Sequence, residues 1–117
     1  MMIRRLLVID GDPDVSGLLR DALERHGFRV SCAATGREAL DLLQSARRPC
    51  CLLVDPLTSQ SDGEDLIGFL QADAALAKIP VVVVSTVGRD RVPPCVTRIL
   101  RKPFALDELL ETVRSLT

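Results

Sequence analysis

The chain has 117 residues, of which 47% are hydrophobic and 26% are charged. This length suits one domain with its own core and is too short for two, and the composition excludes a disordered chain. A net charge of −1 offers no long-range attraction to nucleic acid or to an anionic membrane, so neither is expected as a partner. We expect residues 1–117 to form a single domain.

The apolar run that ends at Asp10 is too short for the core of a signal peptide, and no segment approaches the roughly 18 apolar residues of a membrane span. These features predict a cytoplasmic protein. The cysteines have neither CxxC spacing nor zinc-type pairing with histidine, so we interpret them as ordinary small apolar residues in a reducing compartment. There are four of them: Cys32, Cys50, Cys51 and Cys95.

Five short apolar segments are predicted to be β-strands. The third and fourth are continuous apolar runs, which are typical of strands covered on both faces. The second alternates in polarity, which indicates a strand at the edge of a sheet. The five segments are Leu6–Ile9, Phe28–Ala33, Cys50–Val54, Val81–Val84 and Arg98–Leu100.

Helices are predicted between the strands from their caps and their apolar stripes. Asp12 is an N-cap followed by proline at the first helical position, and Gly27 ends that helix. Thr35 and Glu38 have the spacing of a capping box, and Asp62 precedes a third helix. The stripes are Val15, Leu18, Leu19, Ala22 and Leu23; Ala39, Leu40, Leu42 and Leu43; Leu66, Ile67 and Leu70; and Leu106, Leu109, Leu110, Val113 and Leu116.

Strand and helix alternation at this spacing predicts a doubly wound α/β fold with a five-stranded parallel sheet. The pattern suits the strand order 2-1-3-4-5 of flavodoxin-like folds, whose ligands bind at the carboxyl ends of strands one and three. Two adjacent prolines, Pro93 and Pro94, interrupt the segment before the last strand. Any fourth helix is therefore expected to be short or irregular.

Four polar positions follow apolar strands directly and are expected to meet at one edge of the sheet: Asp10, Asp55, Ser85 and Lys102. Carboxylates hold a hard cation, while a lysine and a hydroxyl stabilise phosphoryl oxygens. A carboxylate can also act as a nucleophile and form an aspartyl-phosphate. The set indicates Mg²⁺-assisted phosphoryl transfer.

The whole chain resembles the receiver domain of response regulators in two-component signalling, which has a CheY-like fold. The matching pieces, in order, are Val8-Ile9-Asp10-Gly11-Asp12-Pro13, Leu52-Leu53-Val54-Asp55, Asp62-Gly63, Ile79-Pro80-Val81-Val82-Val83-Val84-Ser85 and Lys102-Pro103-Phe104.

This resemblance implies a role for each site residue. Asp55 is the phosphoacceptor, Asp10 belongs to the acidic pocket, and the backbone carbonyl of Leu57 is a metal ligand together with these acids. Ser85 is the switch hydroxyl and Lys102 the partner of the phosphoryl group. The implied cofactor is Mg²⁺, and the implied partners are a sensor histidine kinase or phosphotransfer protein and an unknown downstream protein.

Several positions depart from the family pattern. Receivers usually carry a second, metal-binding acid where this chain has Gly11, and a lost carboxylate lowers the affinity for Mg²⁺. Asp12 is a possible replacement, although as a ligand it gives up its capping role. Thr86 and Ile99 stand where a small residue and an aromatic residue are usual, and Pro56 removes a backbone N–H beside the acceptor.

Three functions follow from these observations. The first is a receiver that accepts phosphate on Asp55 and then changes its partner binding, acting at most on its own phosphorylation and dephosphorylation and not as a turnover enzyme. The second is a pseudo-receiver, an interaction module that is not productively phosphorylated. The third is a phosphatase similar to the haloacid dehalogenases, with Asp10 of the Asp10-Gly11-Asp12 sequence as nucleophile, although no further acidic motif follows Lys102.

Overall fold

The computed structural model describes residues 4–45, 48–55, 66–85, 96–101 and 103–117, without the side chains of residues 67 and 85. In these ranges the chain forms five strands, four α-helices and one turn of 3₁₀-helix. The strands are β1 (Arg4–Ile9), β2 (Phe28–Ala33), β3 (Cys51–Val54), β4 (Val81–Ser85) and β5 (Arg98–Arg101). The helices are α1 (Pro13–Glu24), α2 (Gly36–Leu43), α3 (Leu66–Ala72) and α4 (Leu106–Leu116), with the 3₁₀ turn at Leu76–Lys78.

All strand pairs are parallel, and the order across the sheet is β2-β1-β3-β4-β5. The predicted fold class and strand order are therefore confirmed. The alternating strand β2 lies at an edge, as its polarity predicted, while the apolar strands β3 and β4 lie inside the sheet. Ile9 is paired with Ala33 on one side and with Val54 on the other, so three strands end level with one another.

Alternate strand residues form two hydrophobic clusters, one on each face of the sheet, as expected for a parallel sheet covered by helices on both sides. On one face α1 and α4 pack against the sheet, and on the other face α2 and α3 do so. The first cluster includes Leu6, Val8, Leu19, Leu23, Leu53, Val82, Leu109 and Val113. The second includes Leu7, Ile9, Ala39, Leu43, Leu52, Val54, Leu66 and Leu70.

The caps predicted for the first two helices are present. The side chain of Asp12 accepts a hydrogen bond from the N–H of Asp14 at the start of α1. Thr35 Oγ1 accepts one from the N–H of Glu38 at the start of α2. The Glu38 carboxylate accepts a 2.8 Å hydrogen bond from the N–H of Ala34, one residue earlier than an ideal capping box requires.

Three leucines of the predicted stripes are exposed, which sequence periodicity did not anticipate, and one of them is Leu42 on α2, which is 37% exposed. Leu18 is 71% exposed on α1 and Leu106 is 44% exposed at the start of α4. Both line an apolar groove of about 460 Å³ between the two helices, together with Phe104. The outer edges of the two stripes therefore line this groove and are not buried in the core.

Two predictions about the secondary structure lie outside the described residues: the helix cap at Asp62 and the irregular segment that contains Pro93 and Pro94. Of the cysteines in the described ranges, Cys51 is buried, Cys32 and Cys50 are half-buried, and all three are free thiols. No helix within those ranges has the length and apolar character needed to cross a bilayer.

Candidate functional site

The carboxyl ends of β1, β3, β4 and β5 lie along one edge of the sheet because all five strands are parallel. Asp10 follows β1 directly and is only 5% exposed, and Asp55 follows β3 and is half-buried. Ser85 is the last residue of β4 and is paired with Arg101, the last residue of β5. The backbone thus places three of the predicted site positions at the same edge.

The two acids stand at the ends of neighbouring strands. Ile9 and Val54 are register partners, so the next residue in each strand is an acid. The N–H of Asp55 donates to the carbonyl of Ile9 at 2.8 Å, and the N–H of Asp10 donates to the carbonyl of Ala33 at 3.0 Å. Since adjacent strands lie about 4.8 Å apart, the ladder holds the two acidic residues side by side.

Asp10 is further fixed by the turn that follows it. Its Oδ1 accepts a hydrogen bond of 2.9 Å from the N–H of Asp12. The Oδ1 of Asp12 is itself occupied at 2.9 Å by the N–H of Asp14, which is the cap of α1. The capping role predicted for Asp12 is confirmed by this contact.

The donor chemistry at this edge fits Mg²⁺, which proteins commonly hold through one or two carboxylates while the ion keeps several waters. Asp10 and Asp55 supply two carboxylates from adjacent strand ends, and Gly11 supplies no side chain. Within the described ranges, no three acidic, cysteine or histidine side chains converge as a cation cage would require. A cation here would depend on the two acids, on water and on groups beyond the described residues.

An open cleft of about 330 Å³ lies beside Asp10 and is lined by Gly11, Ser16, Cys32 and Glu38 among others. Glu38 was predicted only as part of a helix cap, and its place in this cleft was missed. The spacing of Thr35 and Glu38 could have predicted this position. A glutamate in a capping box reaches back to the residues before its helix, and here those residues follow β2.

The remaining predicted site residues are only partly described. Leu57 and Lys102 lie outside the described residues, as do Pro56 and Thr86. For Ser85 the backbone is described and the side chain is not. The roles predicted for these residues stay predictions.

Comparison with known families gives a match to the model of the response regulator receiver domain over residues 6–114. Among curated relatives, the response regulator MprA of Mycolicibacterium vanbaalenii is 36% identical over 119 aligned residues. The alignment covers 96% of this chain and 49% of that protein. The chain thus spans about half the length of the curated relatives it matches.

Solved structures give the same fold. Chemotaxis protein CheY4 of Vibrio cholerae superposes with a TM-score of 0.86 at 22% identity, covering 99% of this chain and 100% of the other. The signal receiver domain of a signal transduction histidine kinase from Syntrophus aciditrophicus gives a TM-score of 0.84 at 26% identity, covering 97% and 89%.

Proposed function

The chain belongs to the response regulator receiver domain family of two-component signalling, and from this premise we propose that Asp55 accepts a phosphoryl group from a histidine kinase or phosphotransfer protein. The observation that carries the proposal is the position of Asp55. It is half-buried at the end of the interior strand β3, and its backbone is bonded to Ile9, one residue before the buried Asp10. The protein then acts as a signalling domain, and residues 1–117 form one receiver unit.

In the proposed reaction a carboxylate oxygen of Asp55 attacks the phosphorus atom of the donor. The bond from phosphorus to the donor's histidine nitrogen breaks, and an acyl phosphate forms on Asp55. Mg²⁺, when bound, supplies positive charge that offsets the charge of the phosphoryl oxygens. Asp10 and Asp55 would hold it, together with the backbone carbonyl of Leu57.

Ser85 and Lys102 complete the proposed site. The Ser85 hydroxyl would donate a hydrogen bond to a phosphoryl oxygen, and the Lys102 ammonium would pair with the phosphoryl charge. Support for this placement comes from the backbone: Ser85 is level with Arg101, so Lys102 is the residue directly after that pair. Phosphorylation would then alter the binding of a downstream protein, whose identity the site does not define.

The test is incubation of the folded protein with acetyl phosphate and Mg²⁺, followed by intact-mass measurement. We expect one added phosphoryl group in the wild type and none in Asp55→Asn. The matched control is Asp41→Asn, which removes an exposed acid on α2 and should still be modified. A folded wild-type protein that stays unmodified at saturating phosphodonor would contradict the proposal.

A second candidate, the pseudo-receiver, is favoured by Gly11, which supplies no carboxylate where receivers usually carry a second acid. Calorimetric titration with Mg²⁺, alone and with beryllofluoride as a phosphate mimic, separates the two. Binding that Asp55→Asn abolishes supports the phosphoacceptor, and no binding at all supports the interaction module. The family match over residues 6–114 is to receiver domains and argues against the phosphatase alternative.

A further inference from the structure

Asp12 is bonded through its backbone N–H, its side chain and its carbonyl. Its N–H donates to Oδ1 of Asp10 at 2.9 Å, and its own Oδ1 accepts from the N–H of Asp14 at 2.9 Å. Its carbonyl accepts from the N–H of Ser16 at 3.0 Å and from the Ser16 hydroxyl at 3.2 Å. One residue thus connects the buried acid to the first turn of α1.

This turn is anchored at both ends. Asp10 is 5% exposed and Ser16 is 8% exposed, so two of the hydrogen-bond partners of Asp12 are buried. The carbonyl of Ser16 also accepts a contact of 3.8 Å from the thiol of Cys32 on β2. The N–H of Asp12 is therefore held in a defined direction, toward Asp10.

A cation bound through Oδ1 of Asp12 would compete with the capping bond that this oxygen accepts. The first N–H groups of a helix have no partner within the helix, so loss of the cap would leave the Asp14 N–H without its acceptor. The extended backbone of Asp12, with φ −93° and ψ 110°, is the conformation that an N-cap requires.

We infer that Asp12 is a positioning residue of the acidic site, which orients the Asp10 carboxylate through its N–H and does not itself bind the cation. This inference rests on the proposed function, since it assigns the task of the site to Asp10 and Asp55. The side chain of Asp12 contributes by keeping α1, and with it the N–H donor, in place.

Amide exchange measured by NMR without metal tests the positioning contacts directly. In Asp10→Ala the Asp12 amide should exchange about fivefold faster, as expected for the loss of one hydrogen bond. In Asp10→Asn an acceptor oxygen remains, so that amide should stay protected. Unchanged exchange of the Asp12 amide in Asp10→Ala, with intact protection of the β1 and β3 amides, would overturn the inference.

Calorimetric Mg²⁺ titration of three variants then separates positioning from ligation. Asparagine caps a helix as well as aspartate does, so Asp12→Asn should bind Mg²⁺ with about the wild-type affinity. Asp12→Ala loses the cap and should bind about tenfold more weakly, a typical effect of removing a group that orients a ligand. Asp21→Asn, an exposed acid further along α1, controls for the lost charge.

Equal weakening in Asp12→Asn and Asp12→Ala would identify Asp12 as a ligand and overturn the inference, and so would wild-type affinity in both variants. If the wild type does not bind Mg²⁺, the metal-assisted reaction proposed above is contradicted. The amide exchange of Asp12 then tests its positioning role without the metal. The failure of one proposal is thus distinguishable from the failure of the other.

Discussion

The N–H of Asp55 donates a 2.8 Å hydrogen bond to the carbonyl oxygen of Ile9, so the hydrogen-bond ladder between β1 and β3 extends to Asp55 itself. This bond to the sheet fixes the position of the Asp55 backbone. Asp10 is held in the same way through its N–H and Ala33. Substitutions of the Asp10 and Asp55 side chains are expected to change cation binding and phosphorylation at this edge of the sheet, while the backbone keeps its position.

Restoring an acid beside Asp10 should strengthen cation binding. Among the described glycines only Gly27 has a positive φ, at 92°, so Gly11 has a backbone conformation open to other residues. We expect Gly11→Asp to raise the Mg²⁺ affinity on the order of tenfold, because another carboxylate adds ligand charge. Calorimetric titration measures this change.

Gly11→Asn is the matched control for that substitution, since it adds a side chain of the same size without the charge. It should bind Mg²⁺ more weakly than Gly11→Asp. Equal affinities in the two variants, or no gain in Gly11→Asp, would show that the side chain at this position does not reach the cation.

Adjacent leucines on α1 should differ strongly in their contribution to stability. Leu19 is 7% exposed and belongs to the core, so Leu19→Ala should cost about 2–5 kcal/mol. Leu18 is 71% exposed, so Leu18→Ala should change the free energy of unfolding by no more than about 0.5 kcal/mol. Urea unfolding followed by far-UV circular dichroism suits this chain, which has no Trp or Tyr.

A similar cost for the two substitutions would contradict the exposure of Leu18. If Leu18→Ala proved destabilising only at high protein concentration, the groove between α1 and α4 would be covered by a second copy in solution. Repeating the unfolding at two protein concentrations distinguishes these results.

The fold was predictable because each of its signals is local. Continuous apolar runs predicted the interior strands, alternation predicted the edge strand β2, and Asp12 and Thr35 predicted where two helices begin. The bounds of four strands differ at one end. β1 begins at Arg4 and not at Leu6, and β3 begins at Cys51 and not at Cys50, while β4 ends at Ser85 and not at Val84, and β5 ends at Arg101 and not at Leu100. Ladder hydrogen bonds set these ends, and hydrophobicity does not report them.

The sequence predicted which site residues follow the strand ends, but not the contacts that their side chains make. The topology brings Asp10 and Asp55 together. The bond from the Asp12 N–H to the Asp10 side chain is an Asx turn, a local contact that aspartate favours but does not guarantee. The exposure of Leu18 depends on how much of α1 is covered by α4, which is distant in sequence. Periodicity predicts which face of a helix is apolar, but not how far the neighbouring helix covers it.

The N-cap of α2 should contribute measurably to stability. Thr35 Oγ1 accepts a 3.1 Å hydrogen bond from the N–H of Glu38. Thr35→Ala should therefore lower the free energy of unfolding by about 1 kcal/mol, whereas Thr35→Ser retains the acceptor and should lie near the wild type. Urea unfolding gives both values, and equal losses in the two variants would assign the effect to the methyl group of Thr35.

Alkaline pH should destabilise the protein through Cys51. Burial raises the pKa of the Cys51 thiol from its ordinary 9.0 to about 12, with a further contribution from neighbouring Cys50. Below pH 9 the thiol is protonated in both states, and its stabilising contribution is complete. Between pH 9 and pH 12 the unfolded chain loses this proton while the folded protein keeps it, so stability falls by about 1.4 kcal/mol per pH unit.

Urea unfolding of the wild type and of Cys51→Ala, under reducing conditions from pH 8 to pH 10.5, measures that contribution. Cys51→Ala will be less stable than the wild type at pH 8 because it leaves a cavity in the core, so the comparison is between slopes and not between absolute values. The steeper loss above pH 9 should vanish in Cys51→Ala and persist in Cys50→Ala, whose thiol is only half-buried. Parallel slopes in the wild type and Cys51→Ala would mean that the buried thiol ionises in the folded protein as readily as in the unfolded chain.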